Sequence, residues 1–200
     1  MATKHLTIPM FPLNVVLLPG ETKTLHIFEN RYKQLIEDCL QNEAHFGIPF
    51  VNQNKISDYG IEVKINSVSK TFENGDIDII IEAVQVFKMI EFSSVLSPKL
   101  YGAGVIEYEG SPFQNTSISL QELTREYLWQ AQQQTTPIDA FDNATVYTIA
   151  RLIELSSMEK FQIIKTPSLL EKELFLKAKL KLFVHLIKTE NDLKDKFVMN

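Results

Sequence analysis

Polar and apolar residues change their spacing twice along these 200 residues. Between residues 61 and 66 they alternate, with Ile61, Val63 and Ile65 set against Glu62, Lys64 and Asn66, the period of a strand buried on one face. Asn74-Gly75 follows, the dipeptide best suited to a type I′ hairpin, where both central residues need positive φ. The return strand alternates through Ile77, Ile79, Ile81 and Ala83, with Asp76, Asp78, Ile80 and Glu82 opposite. The apolar phase then flips to Val84, Val86, Ile90 and Phe92. A flip inside one strand needs an extra residue, so a β-bulge is expected around Ala83 to Gln85. Such a bulge bends a sheet toward closure. Tyr101 to Tyr108 reads as the last strand, its Gly102 and Gly104 suited to close backbone approach.

Helical spacing appears first between residues 29 and 40. There Tyr32, Leu35, Ile36, Cys39 and Leu40 make one apolar stripe. Glu29 stands at its start, where negative charge suits the helix dipole. After Gly110-Ser111-Pro112 the chain turns helical throughout. Leu120, Leu123, Tyr127 and Ala131 share a face, the glutamine-rich stretch Gln130 to Gln134 is a solvated helix end, and Pro137 breaks the helix. Val146, Ile149, Ala150 and Ile153 mark a second helix with Asp142 or Asn143 as its cap. Ser156 or Ser157 can cap a short third one, ended by Pro167. Ser168 and Glu171 form a capping box for the last helix, with Leu176, Leu180, Phe183 and Ile187 inward and lysines outward. Strands first and helices afterwards indicate an α+β fold, divided into residues 1–112, β-rich with one embedded helix, and 113–200, all helical.

Composition narrows the class. A 44% hydrophobic share with 22% charged residues is that of a globular chain with a proper core. A net charge of −5 opposes a nonspecific grip on phosphate backbones. The lone cysteine, Cys39, lies on the apolar stripe and reads as a small buried hydrophobe. No apolar run reaches the ~18 residues of a membrane helix, and the N-terminus lacks a signal-peptide core, so a cytoplasmic location is expected.

The stretch from Ile8 to Phe50 organises the rest. Pro9, Pro12 and Pro19 lack main-chain donors, which restricts their strands to short, edge or interrupted ones. Pro19-Gly20 is a turn pair between two extended runs. Its pattern, Pro-x-Phe-Pro-Leu-x-x-Val-Leu-x-Pro-Gly from Pro9 to Gly20, then Leu25 to Tyr32 as Leu-His-Ile-Phe-Glu-x-Arg-Tyr, then Phe46-Gly47-Ile48, resembles the N-terminal, substrate-recognition domain of the Lon protease family in a stand-alone form. The likeness covers most of the chain, with residues after Gly110 matching mainly by helix pattern. It departs where Ala83 and Val86 replace a family glycine and arginine, while Phe87 is kept. The resemblance implies a small PUA-like pseudo-barrel followed by a helical bundle.

Candidate chemistry is sparse. No Gly-x-x-x-x-Gly-Lys-Ser/Thr occurs, so no P-loop is expected. Ser67/Lys70 and Ser157/Lys160 match Ser-x-x-Lys, a pattern this short arising about once by chance. Strict alternation would put Ser67 and Lys70 on opposite strand faces. His5, His26, His45 and His185 are scattered. His26 and His45 could meet across strands flanking a helix, but no spacing suits a metal. Asp76 and Asp78 read as a solvated strand edge. Lysines 172, 177, 179 and 181 interleave with Glu171 and Glu173, the pattern of a surface helix.

The resemblance implies a non-catalytic module that binds unfolded or exposed polypeptide segments, as adaptor or holding factor, with a protease or chaperone as partner, no cofactor and no metal. Phe11, Leu13, Phe28, Tyr32, Phe46 and Phe50 are the candidates to line its groove. Glu29 and Arg31 either tie the helix to the sheet or hold a peptide terminus. Two other readings stay open: an RNA-binding accessory protein on the same barrel, which calls for a basic stripe, and a hydrolase with an unrecognised site.

Overall fold

The computed structural model describes residues 5–109, 114–131 and 144–198. The expected punctuation at Gly110 to Pro112, the end of the glutamine run, Pro137 and the caps Asp142 and Asn143 lie outside the described residues. The chain forms two compact units, Met1–Pro112 with Ser156–Lys165, and Phe113–Leu155 with Thr166–Asn200. Six strands of one sheet and five helices are present among the described residues.

Unit 1 contains β1 (Leu6–Met10), β2 (Thr22–Ile27), α1 (Asn30–Gln41), β3 (Phe46–Asn52), β4 (Lys55–Thr71), β5 (Ile77–Ser93), β6 (Gly102–Tyr108) and α4 (Ser157–Lys165). The strand order is β2-β5-β4-β3-β1-β6, and β5 also pairs with β6, so five strands close into a ring with β2 attached outside it. Closure depends on β5 being long enough to serve two partners. Its first half pairs with β2 and its second half with β6, while β4 runs along both. The prolines fit this scheme. Phe11 and Leu13 donate to Gly47 and Pro49 carbonyls of β3, and Pro12 occupies the position between them that needs no donor. Inside the ring Met10, Phe87, Met89 and Ile106 form one buried cluster.

The expected bulge is present: Glu62 pairs with Gln85 but Val63 pairs with Ala83, leaving Val84 as the extra residue. The Pro19-Gly20 turn docks on it, with Gly20 N–H donating to the Ala83 carbonyl and Ala83 N–H to that of Glu21. A second bulge, between Met89 and Glu91, overturns the later phase. Ile90 and Phe92 point outward, and Phe87 and Met89 take the core instead. The hairpin geometry also differs. At Asn74-Gly75 only Gly75 has positive φ, and the Phe72 carbonyl accepts Gly75 N–H in a three-residue loop. The two-residue turn with both φ positive is Gln53-Asn54, between paired Asn52 and Lys55.

In α1, Tyr32, Leu35, Ile36 and Cys39 are buried as the stripe requires, whereas Leu40, one step around the helix, is exposed. Burial pushes the Cys39 thiol up to about 12, which suits an inert side chain. Asp38, on the adjoining face, receives Lys99 Nζ at 2.7 Å and the Tyr101 hydroxyl at 2.6 Å, pinning the helix to the β5–β6 connection. Lys99 and Tyr101 hold the Asp38 carboxyl below the usual carboxylate range. As pH falls, the unfolded chain therefore takes up this proton first. The stabilisation is complete above the ordinary Asp range and is lost as pH drops through the lower folded value. Acid titration of an Asp38→Asn variant should show lower stability at neutral pH and a shallower loss on the acid side. A slope equal to that of the parent would remove Asp38 from the acid response.

Unit 2 contains α2 (Ile118–Gln130), α3 (Val146–Leu152) and α5 (Leu169–Val198). Leu120, Tyr127 and Leu128 of α2 and Val146, Ile149 and Ala150 of α3 are buried, as are Leu176, Leu180 and Val184 of α5. Leu123 is only half-buried; Thr124, fully buried, takes its place and bonds the Leu120 carbonyl at 2.8 Å. Thr145 is the observed N-cap of α3. Ser156 and Glu159 make a reciprocal capping box at the start of α4. The expectation of outward lysines on α5 fails at Lys172, which is buried with its Nζ 2.8 Å from the Tyr147 hydroxyl. A tyrosine supplying an acceptor lets the lysine stem pack inward.

Candidate functional site

The turn after β2 delivers Glu29, Asn30, Arg31 and Tyr32 to one end of α1. Tyr32 is buried and stacks on Phe11, ring centroids 3.8 Å apart. The Arg31 guanidinium lies 4.5 Å from the centre of the same Tyr32 ring and is held there by Glu29, at 2.8 and 2.9 Å. Burial, together with Glu29, keeps the Tyr32 hydroxyl above the ordinary tyrosine range against the opposing pull of Arg31. The phenol therefore stays neutral and able to donate.

Arg31 and Tyr32 of this stack line an open groove of about 350 Å³. Met10 and Pro12 belong to the same lining. Val51, Asn54 and Ile56 of the β3–β4 hairpin and Phe92, Ser94 and Gly102 also line it. Ile56 and Phe92 are exposed, and Val95, Leu96 and Leu100 of the β5–β6 connection are exposed as well. The groove's lining mixes polar groups, Arg31, Asn54 and Ser94 among them, with the apolar Met10, Val51, Ile56 and Phe92.

The model of the ATP-dependent protease La (LON) substrate-binding domain matches residues 7–174. The chain belongs to this Lon substrate-binding domain family. A Lon N-terminal domain protein from Xanthomonas campestris has a similar structure, with a TM-score of 0.70 at 22% identity, covering 86% of this chain and 98% of that one. The N-terminal domain of a Mycobacterium avium complex Lon protease gives a TM-score of 0.61 at 17% identity, covering 88% and 98% respectively. At such identities the likeness speaks for the fold. No match was found among curated proteins.

In this Lon-family domain the sequence candidates separate into three groups. Arg31 and Tyr32 line the groove, with Glu29 and Phe11 holding them from behind. Phe46 is fully buried, and Phe50 is covered by Phe161 of α4 at 4.7 Å, with half-buried Leu13 bridged to it. Phe28 is exposed but stacks beside His26, 6.0 Å away, and is not among the lining residues. Reasoning from sequence missed Ile56, Asn54, Val51 and Phe92. The one local signal for them was the polar pair Gln53-Asn54, which forms the tight hairpin that brings Val51 and Ile56 side by side.

The remaining titratable candidates have structural partners. His26 Nδ1 sits 2.7 Å from Asp78, and His45 Nδ1 sits 2.9 Å from Glu62, so each histidine has its own carboxylate. Asp76 and Asp78 are not a free solvated edge, since β5 is flanked by β2 and β4, and Asp76 holds Lys33 at 2.8 Å. The Lys33 ammonium keeps the Asp76 carboxyl below its usual range. No group of three or more His, Cys, Asp or Glu suited to a metal occurs among the described residues. A bulge at Ser69 returns Lys70 to the face of Ser67, against strict alternation, but the Lys70 ammonium lies over Phe72 at 4.3 Å. Lys160 is engaged by Glu21 at 2.6 Å. No helix of the described residues is long and apolar enough to cross a membrane.

Proposed function

We propose that this chain is a non-catalytic polypeptide-binding module that holds unfolded or exposed apolar segments of other proteins. It serves as an adaptor or holding factor in cytoplasmic protein quality control, beside a separate protease or chaperone. The observation that carries this reading is the groove itself: an open cleft lined by Tyr32, Ile56 and Phe92 together with polar groups, Arg31 among them. Membership of a substrate-binding family supports it. The charge distribution favours polypeptide over RNA, because Lys33, Lys64, Lys99 and Lys160 are each within 3.1 Å of a carboxylate and form no free basic stripe. The closed strand ring read as a PUA-like barrel, and unit 2 read as a helical bundle, belong to the same proposal.

A client's aromatic or aliphatic side chain enters the groove, and a carboxylate on the client can exchange with Glu29 for the Arg31 guanidinium. Phe92→Asp is expected to weaken binding of an aromatic-rich peptide by about tenfold or more, roughly 1.4 kcal/mol, without ATP. The melting temperature should stay close to that of the parent, because Phe92 is a surface residue. Isothermal titration with a peptide panel checks this. Failure of the parent chain to bind any member of a broad panel would end the proposal.

A further inference from the structure

We infer that the outer edge of β2 takes up an extended, acidic polypeptide segment as an added strand. This second mode of capture rests on the reading of the chain as a polypeptide-binding module. β2 stands at the end of the strand order and pairs with β5 alone. Its register runs unbroken from Thr22↔Glu82 to Ile27↔Ile77. In an antiparallel pair alternate residues exchange main-chain bonds with the partner, and those between turn theirs away. The bond from Ala83 N–H to the Glu21 carbonyl sets the phase. Lys23, Leu25 and Ile27 thus bond to β5, and Thr22, Thr24 and His26 present their N–H and C=O groups to the open side. All three are exposed, and among the described residues no hydrogen bond meets those groups.

A second open edge in the same sheet behaves differently. Beyond Val63, β4 has β5 on one side and no strand on the other. There the register slips twice, at Asn66 and at Ser69. Bulges of this kind interrupt the row of outward donors and acceptors and blunt an edge against pairing. β2 has no such interruption.

Charge selects the occupant. The lysines at positions 33, 64, 99 and 160 are matched by carboxylates, whereas Lys23, exposed near the start of the β2 edge, has no ion-pair partner among the described residues. On an added strand the residue facing Lys23 falls in a non-hydrogen-bonded pair, where side chains approach most closely. An Asp or Glu there pairs with the ammonium. A second copy of this chain, set antiparallel with Thr24 on Thr24, would put Leu25 across from Lys23 and leave the charge unmatched; set with Thr22 on Thr22, it would bring Glu21 there, which Lys160 already holds at 2.6 Å. An acidic strand offers Lys23 a free carboxylate, which neither of these self-pairings does.

The test titrates a labelled nonapeptide of Thr and Val with one central Glu into the full chain, followed by fluorescence anisotropy. Thr24→Pro removes the central outward N–H while sparing the bonds to β5. It is expected to weaken binding about tenfold with an unchanged circular dichroism spectrum. Lys23→Glu should weaken the Glu peptide by about three- to fivefold and favour a Lys-centred one by a similar factor. Equal binding of the Glu and Lys peptides to the parent, or unaltered binding by both variants, overturns the inference. So does a concentration-dependent dimer that Thr24→Pro abolishes in place of peptide binding. Phe92→Asp separates the two readings. If it abolishes capture of the acidic peptide, the groove is the site and the edge is not. If neither this peptide nor an aromatic-rich one binds, both readings fall.

Discussion

Replacing Phe87 by alanine is expected to destabilise unit 1 by about 3–5 kcal/mol, the range for deleting a fully buried aromatic ring. Phe87 is entirely inaccessible to solvent and sits where β4, β5 and β6 meet, paired with Gly60 on one side and Tyr108 on the other. It lies just beyond the Val84 bulge, after Gln85 and Val86, so its inward direction depends on that extra residue. The ring fills space that neighbouring strands leave for it. A Cβ at Gly60 would meet the Phe87 ring at 2.5 Å and the Ile48 carbonyl at 2.6 Å. Gly60→Ala should therefore be destabilising too, and the double variant should not rescue it, because the clash with Ile48 backbone survives removal of the ring. Phe87→Leu, which keeps most of the volume, should cost less than about 1.5–2 kcal/mol. Urea denaturation followed by far-ultraviolet circular dichroism reads all four. A Phe87→Ala chain as stable as the parent would mean that ring closure does not depend on this side chain.

Glu173→Ala is expected to destabilise unit 2 by about 3 kcal/mol, since it removes a buried charged acceptor from partly buried donors. Helix α2 lacks a side-chain cap of its own at Ser117. Glu173, buried on α5, supplies one from a distance, accepting Ser117 N–H at 2.7 Å and the Ser117 hydroxyl, with Lys177 at 3.4 Å. The carboxylate meets an orphan amide at the positive end of the helix dipole. Burial alone would raise its pKa, but the Ser117 and Lys177 interactions outweigh burial and leave it below the usual glutamate range. Its contribution is complete above that range and fades as pH falls through the folded value. Glu173→Gln keeps an acceptor without the charge and should lose roughly half as much, and its loss should vary little with pH. Far-ultraviolet circular dichroism, dominated in unit 2 by its helices, reports the transition. An alanine variant with an unchanged midpoint would show that Ser117 finds other partners.

Much of the architecture was legible because it is written locally. Ile61, Val63 and Ile65 alternate in the sequence and are buried or half-buried on one face of β4. The first bulge could be placed between Ala83 and Gln85, where the structure has it at Val84, because a phase flip within one strand has a single geometric remedy. The second bulge, at Ile90, left no such trace, since Met89 and Ile90 are both apolar and either could face inward. The candidate site was less legible. Phe11, Phe46 and Phe50 belong to the same family pattern as Tyr32, yet only packing separates the tyrosine at the groove from the phenylalanines behind it.

Residue order by itself determined the strand and helix periods, the Pro19-Gly20 turn, the α1 stripe and the kinship with Lon substrate-binding domains. Each depends on spacing within a few residues or on a contiguous motif, and backbone geometry translates that spacing directly. Only the tertiary structure decided that β5 closes the ring through β6, that Ile56 and Phe92 face a groove, and that the charges of Asp38 and Glu173 are matched from distant segments. Those outcomes depend on which surfaces meet after the chain has folded back on itself. Whether an apolar side chain ends in the core or on a binding wall is set by its neighbours in space, and local periodicity carries no record of them.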